Sequence, residues 1–258
     1  MSDAQDRTRD LPGALARLTD DSTGQQDRAR ALVAVAGLIG SGAREAGARA
    51  AVSGRWLADL VADVAPHLPV RDLLTLRQHH GGLSGDALAE SLVRSASRAT
   101  AAVGALGGTV SAAHLAAPPT LLAAPATLAA ETLAVVAVEL KLVAELHVVF
   151  GRAPVGTRGQ VATAYLSSWS AKKGLDVRGG APGLATVLGT AARQQLRSRV
   201  ARRLGRNLSS LAPFLTGAVA SAELNRRETV KLGDALRADL RPVEPAPGGR
   251  AKGLLRRR

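Results

Sequence analysis

Between Arg98 and Glu131 lie 32 consecutive residues without a formal charge, rich in Ala and Gly. A run of that length has to be taken out of water, either into a protein core or into lipid. About 20 apolar residues suffice to cross a bilayer. Gly104, Gly107 and Gly108 would let helices approach closely, and Gly104 and Gly108 have small-xxx-small spacing. Ala and Gly are only weakly hydrophobic, however, and Pro118-Pro119 leaves two pieces of under twenty residues each. A conventional spanning helix is therefore disfavoured. Two readings stay open: a buried helical hairpin, and a re-entrant or shallow insertion into a membrane.

The helix that follows bears on this choice. Glu131, Glu139, Lys141 and Glu145 punctuate a run containing Leu133, Val135, Val136, Val138, Leu140, Leu142 and Val143. Charges at that density predict a helix with one wet face, which is unsuited to a surround of lipid. Lys141 and Glu145 are i,i+4 neighbours and are expected to pair.

Helical periodicity recurs along the chain and no period-2 run interrupts it, so the fold class is all-α, a multi-helix bundle. The first residues, 1–22, are polar with weak periodicity and are expected to be a flexible N-terminus. The opening Met1 to Arg7 lacks an apolar segment, so no secretory signal is expected. A single all-α domain is expected over 23–241. It holds a central Ala/Gly-rich hairpin and, near the C-terminus, a basic amphipathic helix.

Within that domain, helical spacing runs from Gln25 towards Ala51. Trp56, Leu57, Leu60, Val61 and Val64 keep the spacing until Pro66 and Pro69 break it. A short helix, Arg71 to Gln78, should stop at His79-His80-Gly81-Gly82, and Ser84 or Asp86 can cap the next. A helix from about Ala126 to Phe150 should close at Gly151, and Thr157 should cap one bearing Tyr165 and Trp169. Residues 174–183, rich in Gly and Pro, read as an internal linker, and 242–258 as a disordered basic tail. With two Trp, one Tyr and two Phe, the core has to be filled by Leu, Val and Ala, packed tightly over many small contacts.

Charge is divided unevenly. Residues 1–150 carry 13 Lys+Arg and 15 Asp+Glu, a net of −2, whereas 151–258 carry 21 and 6, a net of +15. Arg193, Arg197, Arg199, Arg202, Arg203 and Arg206 form a run with no intervening acid, and the chain closes on Arg256, Arg257 and Arg258. On a helical wheel Arg199, Arg202, Arg203 and Arg206 share an arc of about 100°, with Leu196, Val200 and Leu204 beside it. That pattern suits an anionic bilayer surface or a nucleic-acid backbone; a solvated charged face is the plain alternative. Base stacking needs aromatics, and the basic half offers only Tyr165, Trp169 and Phe214, none among the arginines. Anionic lipid is thus favoured over nucleic acid, and an acidic protein partner is a further option.

Little points to catalysis. With no cysteine, disulfides, thiolate chemistry and Cys-ligated metals are excluded. His67, His79, His80, His114 and His147 include no metal-binding spacing, and no nucleophile elbow, phosphate loop or dinucleotide fingerprint is present. No catalytic residue, metal or cofactor is expected.

Two segments resemble the EcsC protein family. The first runs from Ala99 through Gly104 and Gly107-Gly108 into the apolar helix that ends His147-Val-Val-Phe150-Gly151. The second is Leu211-Ala-Pro213-Phe-Leu-Thr-Gly217, with Asn225, Thr229 and Gly233 following. The likeness covers about residues 90–240. Pro118-Pro119 departs from it, standing where the family usually has an acidic residue and a single Pro, and the arginine run is heavier than the family's. The resemblance implies an α-helical protein peripheral to a membrane, and implies no catalytic residue. The expectation is a non-enzymatic bacterial protein at the inner face of the plasma membrane. The alternatives are a scaffold docking an acidic partner or nucleic acid, and an enzyme whose site carries no familiar motif.

Overall fold

The computed structural model describes residues 2–20, 23–46, 55–115, 123–173 and 215–242, and these are helical with short connections. The elements are α1 (Ser2–Thr19), α2 (Gln25–Ala46), α3 (Arg55–Val64), a 3-10 turn (Ala65–His67), α4 (Leu73–His79), α5 (Gly85–Leu115), α6 (Ala123–Val149), α7 (Arg158–Lys172) and α8 (Leu215–Leu240). No strand occurs among the described residues. Linker 174–183, the basic run 193–206, Pro213 and the tail 243–258 lie outside them.

Several boundaries follow local chemistry. Asp72 caps α4 by accepting from the Thr75 backbone N–H at 2.9 Å, and α4 ends at His79 before Gly81 and Gly82, both at positive φ. Thr157 and Gln160 form a capping box at the start of α7. α6 begins at Ala123, so Pro125 falls in its first turn, where a missing N–H costs nothing. Its other end is a Schellman motif. Gly151 sits at φ +65°, Arg152 N–H bonds the His147 carbonyl at 2.8 Å, and Gly151 N–H bonds that of Val148 at 3.2 Å.

The N-terminal segment corrects the expectation of a flexible 1–22. α1 is an 18-residue helix, and Leu11, Ala14, Leu15 and Leu18 are buried against the common core. Their i, i+3, i+4, i+7 spacing is an amphipathic stripe, diluted in the sequence by charged residues on the remaining faces.

α6 is the centre of the bundle, contacting α1, α2, α3, α5, α7 and α8. From Ala130 to Leu146 every residue except Thr132 is buried. The expectation of one wet face on this helix is therefore wrong: Glu131, Glu139, Lys141 and Glu145 are all inside.

The most extensive helix contact is between α5 and α8, which run antiparallel. Asp86 meets Arg237 and Arg241, Gly233 lies against Val93, Thr100 meets Thr229, and Gly104 lies against Ser221 and Asn225. A methyl group on Gly104 would stand 2.7 Å from Asn225 Nδ2 and 2.8 Å from the Ser221 carbonyl oxygen. That approach holds only while position 104 has no side chain. Asp86, proposed from sequence as a cap, instead receives both arginine forks. Their hydrogen bonds hold its carboxyl at about 2, below the ordinary 3.8.

Two outcomes are expected. Gly104→Ala should destabilise the protein by about 1–3 kcal/mol through overpacking. Gly37→Ala, in α2 where nothing lies within 4 Å of the added carbon, should stabilise it by about 0.5–1 kcal/mol; urea titration of both variants checks the contrast. Asp86 is depressed in the folded state, so its contribution is present above its ordinary value of 3.8 and lost as pH falls through about 2. Its side chain is 44% exposed, which limits the effect to about 1 kcal/mol. Asp86→Asn should lower stability at pH 7 and match the parent at pH 2, as read by denaturation at the two pH values.

Candidate functional site: a buried polar seam on the central helix

Each acid of α6 is met by a different neighbour. Glu131 accepts from Ser221 Oγ of α8 at 2.9 Å. Glu139 accepts from three groups. Trp169 Nε1 donates to Oε2 at 2.8 Å, while Lys173 Nζ at 2.8 Å and Thr229 Oγ1 at 3.2 Å donate to Oε1. Glu145 receives Lys141 Nζ at 2.7 Å and the Arg71 fork at 2.8 and 3.0 Å. The seam thus ties α8, α7 and the segment before α4 to one helix.

A second polar string joins it through Thr229. Its hydroxyl lies 2.9 Å from that of Thr100 on α5, and Asn225 Nδ2 donates to the Thr100 carbonyl at 3.3 Å. Ser221, Asn225, Thr229 and Gly233 recur every fourth residue, so they fall on one face of α8. Side chains this short let α5 approach, and their polar atoms find partners across the contact.

Glu139 is 1% exposed and Lys173 Nζ belongs to a side chain 4% exposed. Burying the two ions is costly, and the pair persists because hydrogen bonds surround it. Tyr165 packs edge-on against His147, ring centroids 5.4 Å apart, and burial raises its hydroxyl above its ordinary value. His147 Nδ1 lies 2.7 Å from the Val143 carbonyl oxygen, His80 contacts Ser91, and His67 contacts the Asp63 carbonyl. Among the described residues no group of three or more His, Asp or Glu is arranged to hold a metal ion. In the seam itself the donors and acceptors are matched to one another.

The structure brings Gly104, Asn225, Thr229 and Gly233 to the α5–α8 contact, and Phe150 and Gly151 to the end of α6. Gly107 and Gly108 fall within α5 and Gly217 within the first turn of α8. Arg193, Arg197, Arg199, Arg202, Arg203, Arg206, Pro213, Arg256, Arg257 and Arg258 lie outside the described residues. Lys173, Thr100 and Ser221 carry no expectation from the sequence, Trp169 and Arg71 are read there only as helix residues, and Glu139 is assigned to a wet face. A signal existed: on a wheel the four charges of α6 spread over about 160°, and Val135, Val138, Leu142 and Leu146 fall inside that arc. A wet face would not be interleaved with four large apolar residues.

No described helix is long and apolar enough to cross a membrane. Comparisons of the chain with protein families, with curated proteins and with solved structures give no match.

Glu139→Ala should destabilise the fold by about 3–5 kcal/mol, because it leaves the Lys173 ammonium buried without a counter-charge. Lys231→Ala, which breaks a surface pair with Glu228, should cost under about 1 kcal/mol. Chemical denaturation of the two variants separates the buried pair from the surface one.

Proposed function

We propose that this protein is a non-enzymatic α-helical protein that associates peripherally with the inner face of a bacterial plasma membrane through anionic lipid. The observation that carries the reading is where the excess charge falls. The described residues carry 21 Lys+Arg and 18 Asp+Glu, a net of +3. Residues 174–214 and 243–258 together carry 12 Lys+Arg and 2 Asp+Glu, a net of +10.

Many of the cations within the bundle are occupied. Arg71 and Lys141 face Glu145, Lys173 faces Glu139, Arg237 and Arg241 face Asp86, and Arg226 and Arg227 face Glu223. In the sequence the basic run from Arg193 to Arg206 and the terminal Arg256 to Arg258 carry the excess of cations over acids that this reading assigns to an external anion. Each basic residue near an anionic leaflet contributes about 1 kcal/mol, so reversible attachment needs only a few. The EcsC resemblance agrees with this reading and belongs to it.

Replacing Arg199, Arg202, Arg203 and Arg206 by Glu should weaken binding to phosphatidylglycerol vesicles by roughly two to three orders of magnitude, measured by flotation at low salt. Unchanged flotation would remove the arginine run from the contact. Equal binding to neutral vesicles, or binding to duplex DNA that outcompetes the vesicles, would favour the scaffold alternative.

A further inference from the structure

We infer that residues 68–83, which run over α6 from α7 to α5, form a surface that lies on an anionic bilayer, with Leu73 and Leu74 in the headgroup and upper acyl layer. This rests on the membrane reading above and adds to it the face of the bundle that meets the lipid.

The course of the segment follows from its contacts. At its start Val70 lines one small depression with Leu140 and Ala144 of α6 and with Ala162 and Tyr165 of α7. Beside it the Arg71 fork reaches Glu145 of α6 at 2.8 and 3.0 Å. Leu76 is fully buried in the common core, and His80 meets Ser91 of α5 at 2.9 Å. The segment is a strap held at its start, middle and end, so its outer face is set before any partner arrives.

That outer face is apolar. Val70, Leu73, Leu74 and Leu83 are 40, 41, 66 and 37% exposed. At 100° per residue Leu74 points about 160° away from Leu76, so burial of the second turns the first to solvent. The other large apolar side chains exposed among the described residues, Val33, Val155 and Val219, stand one to a segment, which is ordinary for a protein surface. Four within residues 70–83 make a patch, the kind of feature that marks a contact. The depression beside Val70 holds about 10 Å³, room for a single water. A partner therefore rests on the strap and is not seated in it.

Charge selects the occupant. Arg77 falls between Leu73 and Leu74 around α4. On the α5 side, Arg94 and Arg98 lie within about 60° of Ser91 around that helix. On the α7 side, Arg158 stands one turn before Ala162. All four arginines are exposed, and none is paired with an acid among the described residues. The one acid of the strap, Asp72, is turned onto its own helix, accepting from the Thr75 N–H and hydroxyl at 2.9 Å. Glu90 lies on the α8 side of α5, towards Arg237. Leucines flanked by free arginines match an anionic lipid surface, in which apolar side chains sink about 5–10 Å while cations hold phosphate. The arginines sit on three different helices, a spread that a continuous layer of phosphates meets without any particular register.

The chain has no cysteine, so single labels are unambiguous. Leu74→Cys and, on α8, Ala238→Cys would each carry an environment-sensitive fluorophore. Position 238 is exposed and serves as the control, because α8 lies across α5 from the strap: Gly104 and Ser91 point about 140° apart around α5. Both would be mixed with vesicles of equimolar phosphatidylglycerol and phosphatidylcholine, with flotation of the same samples measured in parallel. The expected result is a blue shift at position 74, quenched by nitroxide lipids labelled just below the headgroup, with no shift at 238. An unlabelled variant combining Leu73→Ser and Leu74→Ser should bind the same vesicles about tenfold more weakly while staying folded by circular dichroism. Flotation without a shift at 74, equal shifts at both positions, or undiminished binding of the double variant overturns the proposed surface and leaves membrane attachment standing. A shift at 74 that arises without vesicles and grows with protein concentration also overturns it, and assigns the strap to contact between copies of the chain. Absence of flotation overturns both readings.

Discussion

Glu139 is a carboxylate enclosed in the stretch of α6 from Ala130 to Leu146, where every residue except Thr132 is buried. Desolvating such a group costs several kcal/mol unless its oxygens are met, and α6 cannot meet them from its own backbone. Trp169 and Lys173 come from the end of α7 and Thr229 from the middle of α8. A one-turn slip of either helix would strand the charge. Apolar packing of Ala, Val and Leu tolerates many arrangements at similar cost, whereas this set of partners tolerates few. Glu131 with Ser221 and Glu145 with Arg71 impose the same requirement on either side, so three carboxylates fix how the neighbours sit on the central helix.

The second constraint is closeness. A core almost without aromatics gains little from any single contact, so helix axes have to be near one another for dispersion to accumulate. Gly104 and Gly233 permit this between α5 and α8, and Ser221, Asn225 and Thr229 fill the same face with short side chains that bond across the gap. Packing and polar matching are carried by one stripe of α8 and cannot be varied independently.

Local signals made part of this legible. Thr157, Gly81 and Gly151 bound their helices because caps and positive-φ turns depend on a few neighbouring residues, whereas the helix expected from Arg71 starts at Leu73, capped by Asp72. The absence of period-2 patterning reported the all-α class for the same reason. α1 was missed because four apolar residues over about two turns, Leu11, Ala14, Leu15 and Leu18, are easily hidden among Asp and Arg. The interior of α6 was missed for a deeper reason. Whether a Glu faces water or a partner depends on what a distant segment supplies, and Trp169, Lys173 and Thr229 are 30, 34 and 90 residues away from Glu139. Gly104 was readable as a packing residue; its opposite number, Ser221, carries no signal of its own.

Under the proposed function, folding and binding fall to different residues: the ion-paired cations of the described bundle to the first, and the arginine-rich segments 174–214 and 243–258 to the second. Co-sedimentation or flotation of the whole chain with neutral and with anionic vesicles, across a range of salt, tests that separation most directly. The account predicts binding to anionic vesicles alone, weakened as salt screens the arginines. Binding that ignores lipid charge, or no binding at any salt, would contradict it.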